Sequence, residues 1–320
     1  MNDAPSSPPA APAPTASQRK SQELRKKIIE QYGILRPKFA LTLGGLRKLS
    51  VDPEDKRVQR MLLARGPRHS TRNQRFIHAC LAHLPVDLYL DIGVNYGECL
   101  VAQPFHCGVR TRGYEANPRL IPFIQRTLGF NDDLERIEIS NKAMSVEAGG
   151  VIDFYIDNAW SGTSSVIPRA SGRSSTQCRV GTTTIDTEVA REHEVDLLLI
   201  KIDVEGHEPQ VFRGGVQTYA SVPNIVCMME FDSTFIARGG EDPVAFYHEL
   251  AQHFTVLCSR GGTWGPAADY AALQAANEAR TLGPGETHLD VVLTRFADPE
   301  LARSFDSKVL PSLAKPGARG

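Results

Sequence analysis

The chain has 320 residues, of which 41% are hydrophobic and 23% charged, an ordinary globular balance that suits one large α/β domain with an extension or two small domains. No stretch approaches the ~18 apolar residues of a membrane span, no early basic segment leads into an apolar signal region, and the six cysteines lack CxxC or metal-ligand spacing; the expectation is a soluble, cytoplasmic protein with reduced core cysteines. The formal net charge of −1 conceals an asymmetry, because residues 1–75 carry 16 Lys+Arg against 6 Asp+Glu while the remainder carries 20 against 31.

Residues 1–17 are Pro, Ala and Ser with almost no large apolar side chains, so they cannot offset the entropy of ordering and read as a disordered tail. Residues 18–85 read as a basic helical extension. Within it, Ser17 to Arg36 places Leu24, Ile28 and Ile29 at helical spacing among Arg19, Lys20, Arg25, Lys26 and Lys27. That basic face is either solvated on its own domain or docked to an anionic partner or membrane surface. A second helix, Asn73 to Leu84, leads into the first strand.

From residue 86 to 296 strands and helices alternate, which implies a mostly parallel sheet flanked by helices. The strands are expected at Asp87–Leu90, Thr111–Tyr114, Ile137–Ser140, Val195–Ile202, Ile225–Phe231, Phe254–Cys258 and Val291–Arg295, with a long insertion, Ser259–Asp290, between the last two. A helix is expected to start at Glu98. Another, with Asn117 as N-cap and Pro118 at its first position, ends before Gly129. Residues 297–320 read as a C-terminal tail.

The segment Asp91 to Gly97, DIGVNYG, is then a strand end, a glycine turn and a helix start. Gly93 and Gly97 permit positive φ and close approach of a ligand, and the N–H groups of a new helix would face the same crevice. The Gly-x-x-x-Gly spacing behind an acid cannot carry the dinucleotide fingerprint Gly-x-Gly-x-x-Gly, which points away from NAD and towards S-adenosylmethionine. Glu115, at the tip of the second strand, is placed to accept hydrogen bonds from ribose hydroxyls. Asp91, Gly93, Asn95, Gly97, Glu115, Asn117 and, at the tip of the third strand, Asn141 are the candidate cofactor residues.

The remaining strand tips are acidic: Asp203, Glu205, Glu208, Glu230 and Asp232 should face one crevice, where burial and like-charge crowding raise carboxyl pKa values. Such groups suit proton removal from an alcohol. The same oxygens, from Asp203, Glu205 and Glu230 or Asp232, could instead hold Mg²⁺ or Ca²⁺, although no segment has a dedicated loop spacing. His207 has the pKa of a general base, but its place between Gly206 and Glu208 reads first as helix capping or packing and only then as catalytic. The stretch Trp160 to Ser165 is either a substrate loop with an aromatic sugar platform or a surface loop.

Taken in order, DIGVNYG, YEANP, TTTIDT, LLLIKIDVEGHEPQVFRGG and MMEFD resemble the FkbM family of S-adenosylmethionine-dependent methyltransferases over residues 87 to 296. The resemblance implies a Rossmann-like class I fold with a seven-stranded sheet, S-adenosylmethionine at the residues above, and a substrate-side role for Asp203, Glu205 and Glu208. It also implies O-methyl transfer to a hydroxyl of a saccharide or natural product. The rivals are a nicotinamide-dependent oxidoreductase, disfavoured by the missing fingerprint, and a catalytically silent scaffold module. A nucleic-acid substrate is disfavoured by the acidic crevice, which repels phosphate, and by the lack of an Asn/Asp-Pro-Pro-aromatic motif. Oligomeric state is left open, a homo-oligomer included.

Overall fold

The computed structural model describes residues 47–58, 71–104, 107–134, 136–168, 174–277 and 286–313, together with positions 19, 23, 26, 27, 34 and 35. The expected tail at 1–17 and most of the Ser17–Arg36 helix lie outside these residues; Arg19, Glu23, Lys26 and Lys27 are helical and exposed. Among the described residues, no helix is long and apolar enough to cross a membrane.

Two continuous apolar runs set the centre of the molecule. Strand β1 (Leu88–Ile92) is buried at every position, and the later run Leu197–Ile202 is too. Strands covered on both faces read as unbroken hydrophobic stretches, which is the signature of a parallel sheet between two helical layers. Around β1 in chain order come β2 (Arg110–Tyr114), β3 (Glu138–Ser140), β4 (Ala143–Met144), β5 (Val151–Asp157), β6 (Ser175–Thr183), β7 (Leu197–Ile202), β8 (Asn224–Asp232), β9 (Thr255–Arg260), β10 (Thr263–Pro266) and β11 (His288–Phe296). The main sheet has the order β10-β9-β11-β8-β7-β1-β2-β3. Pairs from β8 to β3 are parallel, and β11 runs antiparallel between β8 and β9. The seven expected strands are all present. The insertion adds an eighth, β10, as an antiparallel edge on β9.

Helix α1 (Arg72–His83) covers one face. It starts at a capping box in which Thr71 and Gln74 satisfy each other's backbone N–H groups. Its Phe76, Ile77 and Cys80 pack with Leu197, Leu199, Val226 and Val292 of the sheet and with Phe305, Val309 and Leu313. Residues 299–313, read from sequence as tail, are thus helical and part of the core. On the opposite face Leu88, Leu90, Leu198 and Ile200 pack with Phe212, Phe246 and Leu250. Each such fully buried side chain contributes about 1.5–3 kcal/mol.

Two local expectations change. After Gly97 there is only a 3-10 turn, Leu100–Ala102. Pro104 forces Gln103 into an extended conformation (ψ 146), and the Arg47 side chain takes up the carbonyls of Val101 and Gln103 that a helix would have used. Helix α2 (Ile121–Gly129) begins one turn later than expected, because the Asn117 side chain accepts the Arg119 N–H at 3.0 Å and closes a local turn instead.

A second, three-stranded sheet (β4-β6-β5) sits beyond the carboxyl end of the main one. It carries the Trp160–Ser165 stretch to the same end, where the acidic strand tips gather.

Candidate active site

The glycine turn after β1 meets the turn after β7. A Cβ on Gly93 (φ 82) would lie 1.9 Å from the Asp203 carbonyl oxygen, so only glycine lets the two loops touch. Asn95 is left-handed (φ 52), a conformation asparagine tolerates better than most residues. Its backbone N–H donates to Glu115 Oε2 at 2.8 Å, while the Asn117 N–H donates to Glu115 Oε1 at 2.8 Å. Glu115 is therefore fixed at the tip of β2 by one donor on each oxygen, with further lone pairs to offer. Burial pushes its carboxyl up to about 7 despite those two N–H groups.

Lys201, buried in β7, donates to the Gly93 carbonyl at 2.6 Å and stands 3.6 Å from Asp91 and 3.5 Å from Asp203. Burial opposes its charge, but the Asp203 and Asp91 carboxylates outweigh that and raise its pKa above the usual lysine value. Asp91 is fully buried, and neither of its oxygens has a hydrogen-bond partner of normal geometry. Burial raises its pKa to about 6, with the Lys201 ammonium working against the rise.

Asn95, Glu115, Lys201 and Asp203 open onto a cavity of about 780 Å³, within the range of small-molecule sites. Its acidic end holds Asp203, Glu205 and Glu230, each with a carboxylate oxygen within 4.8 Å of the others. Burial, reinforced by repulsion from Asp203, drives the Glu205 and Glu230 carboxyls well above the usual range. His288 stands beside them. Its Nδ1 lies 2.6 Å from Asp232, and its Nε2 3.4 Å from Glu230. At the other end Ala116, Ala143, Met144, Phe154 and Val166 supply apolar wall.

Of the residues singled out from sequence, Gly93, Asn95, Glu115, Asp203, Glu205, His207 and Glu230 line this cavity. Asp91, Gly97, Asn117, Asn141 and Glu208 do not line it. Asn141 donates to the carbonyls of Glu115 and Ala116, pinning that loop. Glu208 accepts the N–H groups of Val204 (3.0 Å) and Gly206 (2.8 Å), and so holds the turn that carries Glu205 at φ 57. The His207 side chain makes no capping bond to its helix. The ring lies 3.1 Å from the Ser145 hydroxyl, and burial depresses its pKa to about 4. Asp232 caps helix α3 (Ser233–Arg238) through the N–H groups of Thr234 and Phe235 and lies outside the carboxylate trio.

Sequence reasoning missed Arg57, Thr71, Asn73 and His288, all of which line the cavity. Arg57, Thr71 and Asn73 lie 34, 20 and 18 residues before Asp91, and His288 lies 56 residues after Asp232, so no local spacing ties them to the motifs. The one available signal was the unexplained positive charge of residues 1–75.

The sheet order, with one antiparallel strand inserted beside the last parallel one and a glycine turn after the central strand, is that of the Rossmann-like class I methyltransferase fold. A family model for the methyltransferase FkbM domain matches residues 91–261, more than half of the chain, and the chain belongs to that family. Among solved structures it is similar to a putative O-methyltransferase from Klebsiella pneumoniae, at 10% identity over 88% of this chain and 100% of that chain, with a TM-score of 0.40. It is also similar to the O-methyltransferase from Bacillus cereus in complex with SAH (12% identity, 86% and 97% covered, TM-score 0.38). A third is the O-methyltransferase TomG from Streptomyces achromogenes, involved in tomaymycin synthesis, in complex with SAM (10% identity, 89% and 100% covered, TM-score 0.39). At these scores the likenesses add no weight. No curated protein matches the chain.

Proposed function

We propose that the chain is an O-methyltransferase whose acceptor is a hydroxyl of a small saccharide or natural product. The observation that carries this reading is the carboxylate trio Asp203, Glu205 and Glu230 facing the same cavity as Glu115. The cavity suits the cofactor: Glu115 has acceptor capacity left for ribose hydroxyls, the Ala143–Met144 end offers apolar contact to a base, and the acidic end favours a cation. When bound, S-adenosylmethionine supplies an electrophilic methyl group on a positively charged sulfur. The protein supplies position and proton acceptance. Asp203, on the turn pinned by Lys201, orients the acceptor hydroxyl and takes its proton, with Glu205 beside it; Glu208 acts through the turn it holds. Trp160, in the cavity wall, offers an apolar face to a sugar ring.

Incubation with labelled S-adenosylmethionine and a panel of methyl glycosides and phenols, against matched amines, tests the acceptor class. Label should appear on hydroxyl acceptors; transfer to amines alone would overturn the reading, and no turnover at all would favour a silent scaffold. With an acceptor in hand, Asp203→Asn should lower kcat by about 10²–10⁴, the usual worth of a positioned base, and His207→Ala clearly less. Chelator should leave turnover unchanged. Loss restored by Mg²⁺ would reassign the trio as metal ligands.

A further inference from the structure

Every acidic group named so far welcomes the cationic part of the donor, yet an amino-acid donor also carries a carboxylate, and a carboxylate left unpaired among carboxylates would be costly. The cavity walls contain few cations to meet it. The Lys201 ammonium is spent on Gly93 and on its two aspartates. Lys142 is exposed and sits next to Ala143 and Met144, at the apolar end. His288 is taken up by Asp232 and Glu230, and the His207 ring lies against the Ser145 hydroxyl with its pKa depressed by burial. Arg57 remains, and it comes from outside the part of the chain that matches the family.

Arg57 is held in place by a short strap. Asp55 accepts the Arg57 N–H at 2.8 Å, the Tyr96 hydroxyl at 2.9 Å and the Ser161 N–H at 3.3 Å, and the Lys56 N–H donates to the Ala159 carbonyl at 3.0 Å. The strap thus joins the glycine turn to the Trp160–Ser165 stretch. From it the guanidinium crosses Gly162, where a Cβ would come within 2.8 Å of Arg57 Cδ and Nε. Nη1 then reaches Asn95 Oδ1 at 3.1 Å and pairs with Glu98. A guanidinium has five donors in a rigid fork. Only Nη1 is engaged among the described residues, so Nε and Nη2 keep donors to offer. Asn95 itself touches Arg57 through its side chain and Glu115 through its backbone. The ribose acceptor and the guanidinium therefore flank one residue.

We propose that Arg57 is the anchor for the amino-acid carboxylate of the methyl donor, supplied by the segment that precedes the family domain. The inference rests on the donor reading above. It assigns to residues 47–58 a part in cofactor selection: they recognise the half of the donor that a bare nucleoside lacks.

Calorimetry with two probes tests it: S-adenosylhomocysteine, which has the carboxylate, and 5′-methylthioadenosine, which keeps adenine and ribose but has no amino-acid portion. Arg57→Gln should weaken S-adenosylhomocysteine binding about 10- to 100-fold and change 5′-methylthioadenosine binding less than about twofold; Arg57→Lys should recover part of the loss. An unchanged affinity for S-adenosylhomocysteine, or an equal loss for both probes, would overturn the anchor, the second outcome showing that Arg57 only shapes the pocket. Failure of the unaltered protein to bind S-adenosylhomocysteine would instead overturn the donor reading.

Discussion

Glu205 is the residue at which structure and chemistry pull apart most. It is not glycine, yet it sits at φ 57, and its carboxyl is forced upward by burial and by Asp203, Glu208 and Asp232. A left-handed side chain of this kind costs on the order of 1 kcal/mol. Glu205→Gly should therefore raise the melting temperature by about 1–2 °C while lowering turnover, as read by thermal scanning and a methyl-transfer assay; a fall in both would show that the side chain supports the loop. Glu115 behaves differently. Its raised pKa of about 7 reflects burial before any ligand arrives, and donors from a ribose favour the ionised form. Cofactor binding should then release protons, and affinity should rise between about pH 6 and pH 8. Calorimetry in buffers of different ionisation enthalpy would register the release, and a flat pH profile would contradict it. Glu115 was legible because a strand end, a glycine turn and an acid follow in a fixed order. Arg57 was not, since its place depends on Asp55, Tyr96 and Ser161 meeting across the fold.

Among the elements, the turn between β7 and the helix Glu208–Arg213 depends on one side chain. Glu208→Ala would leave the N–H groups of Val204 and Gly206 buried without acceptors, each worth about 1–3 kcal/mol. Denaturant unfolding should show a loss of about 2–4 kcal/mol, with turnover reduced through displacement of Asp203 and Glu205. A loss under 0.5 kcal/mol would mean that water replaces the carboxylate. The unbroken runs of β1 and β7 made those strands readable. The strands β5 and β6 escaped notice because neither carries a clean apolar stripe: β6 is largely polar, and in β5 Asp153 and Asp157 interrupt the apolar residues and its first three positions are at most half buried, so their pairing with each other makes them strands. The helix expected after Gly97 failed for a local reason, Pro104, that was in view.

For the molecule as a whole, buried carboxyls set the response to pH. Glu115 and Glu208 titrate near 7 and Asp91 near 6, all above their unfolded values, so the stability they favour is complete below about pH 4 and is lost as pH rises through those values. His207, depressed to about 4 by burial, works the other way and loses its contribution as pH falls below about 6.5. Three groups against one leave the ligand-free protein with a higher melting temperature at pH 5.5 than at pH 8, and a thermal scan showing the reverse would refute the balance.

The order of strands was the part of the fold least accessible from sequence, because order is set by pairings distant in the chain. One of these has a practical meaning for cutting the gene. Strand β11 lies between β8 and β9, in a nine-residue register with the first, from Asn224 opposite Phe296 to Asp232 opposite His288. Both neighbours fall within residues 91–261, but β11 does not. A protein truncated after residue 261 would carry a slot through its main sheet and should melt without cooperativity. Residues 286–313 supplied as a separate peptide should fill that slot and restore a single transition, which makes the chain a natural candidate for fragment complementation.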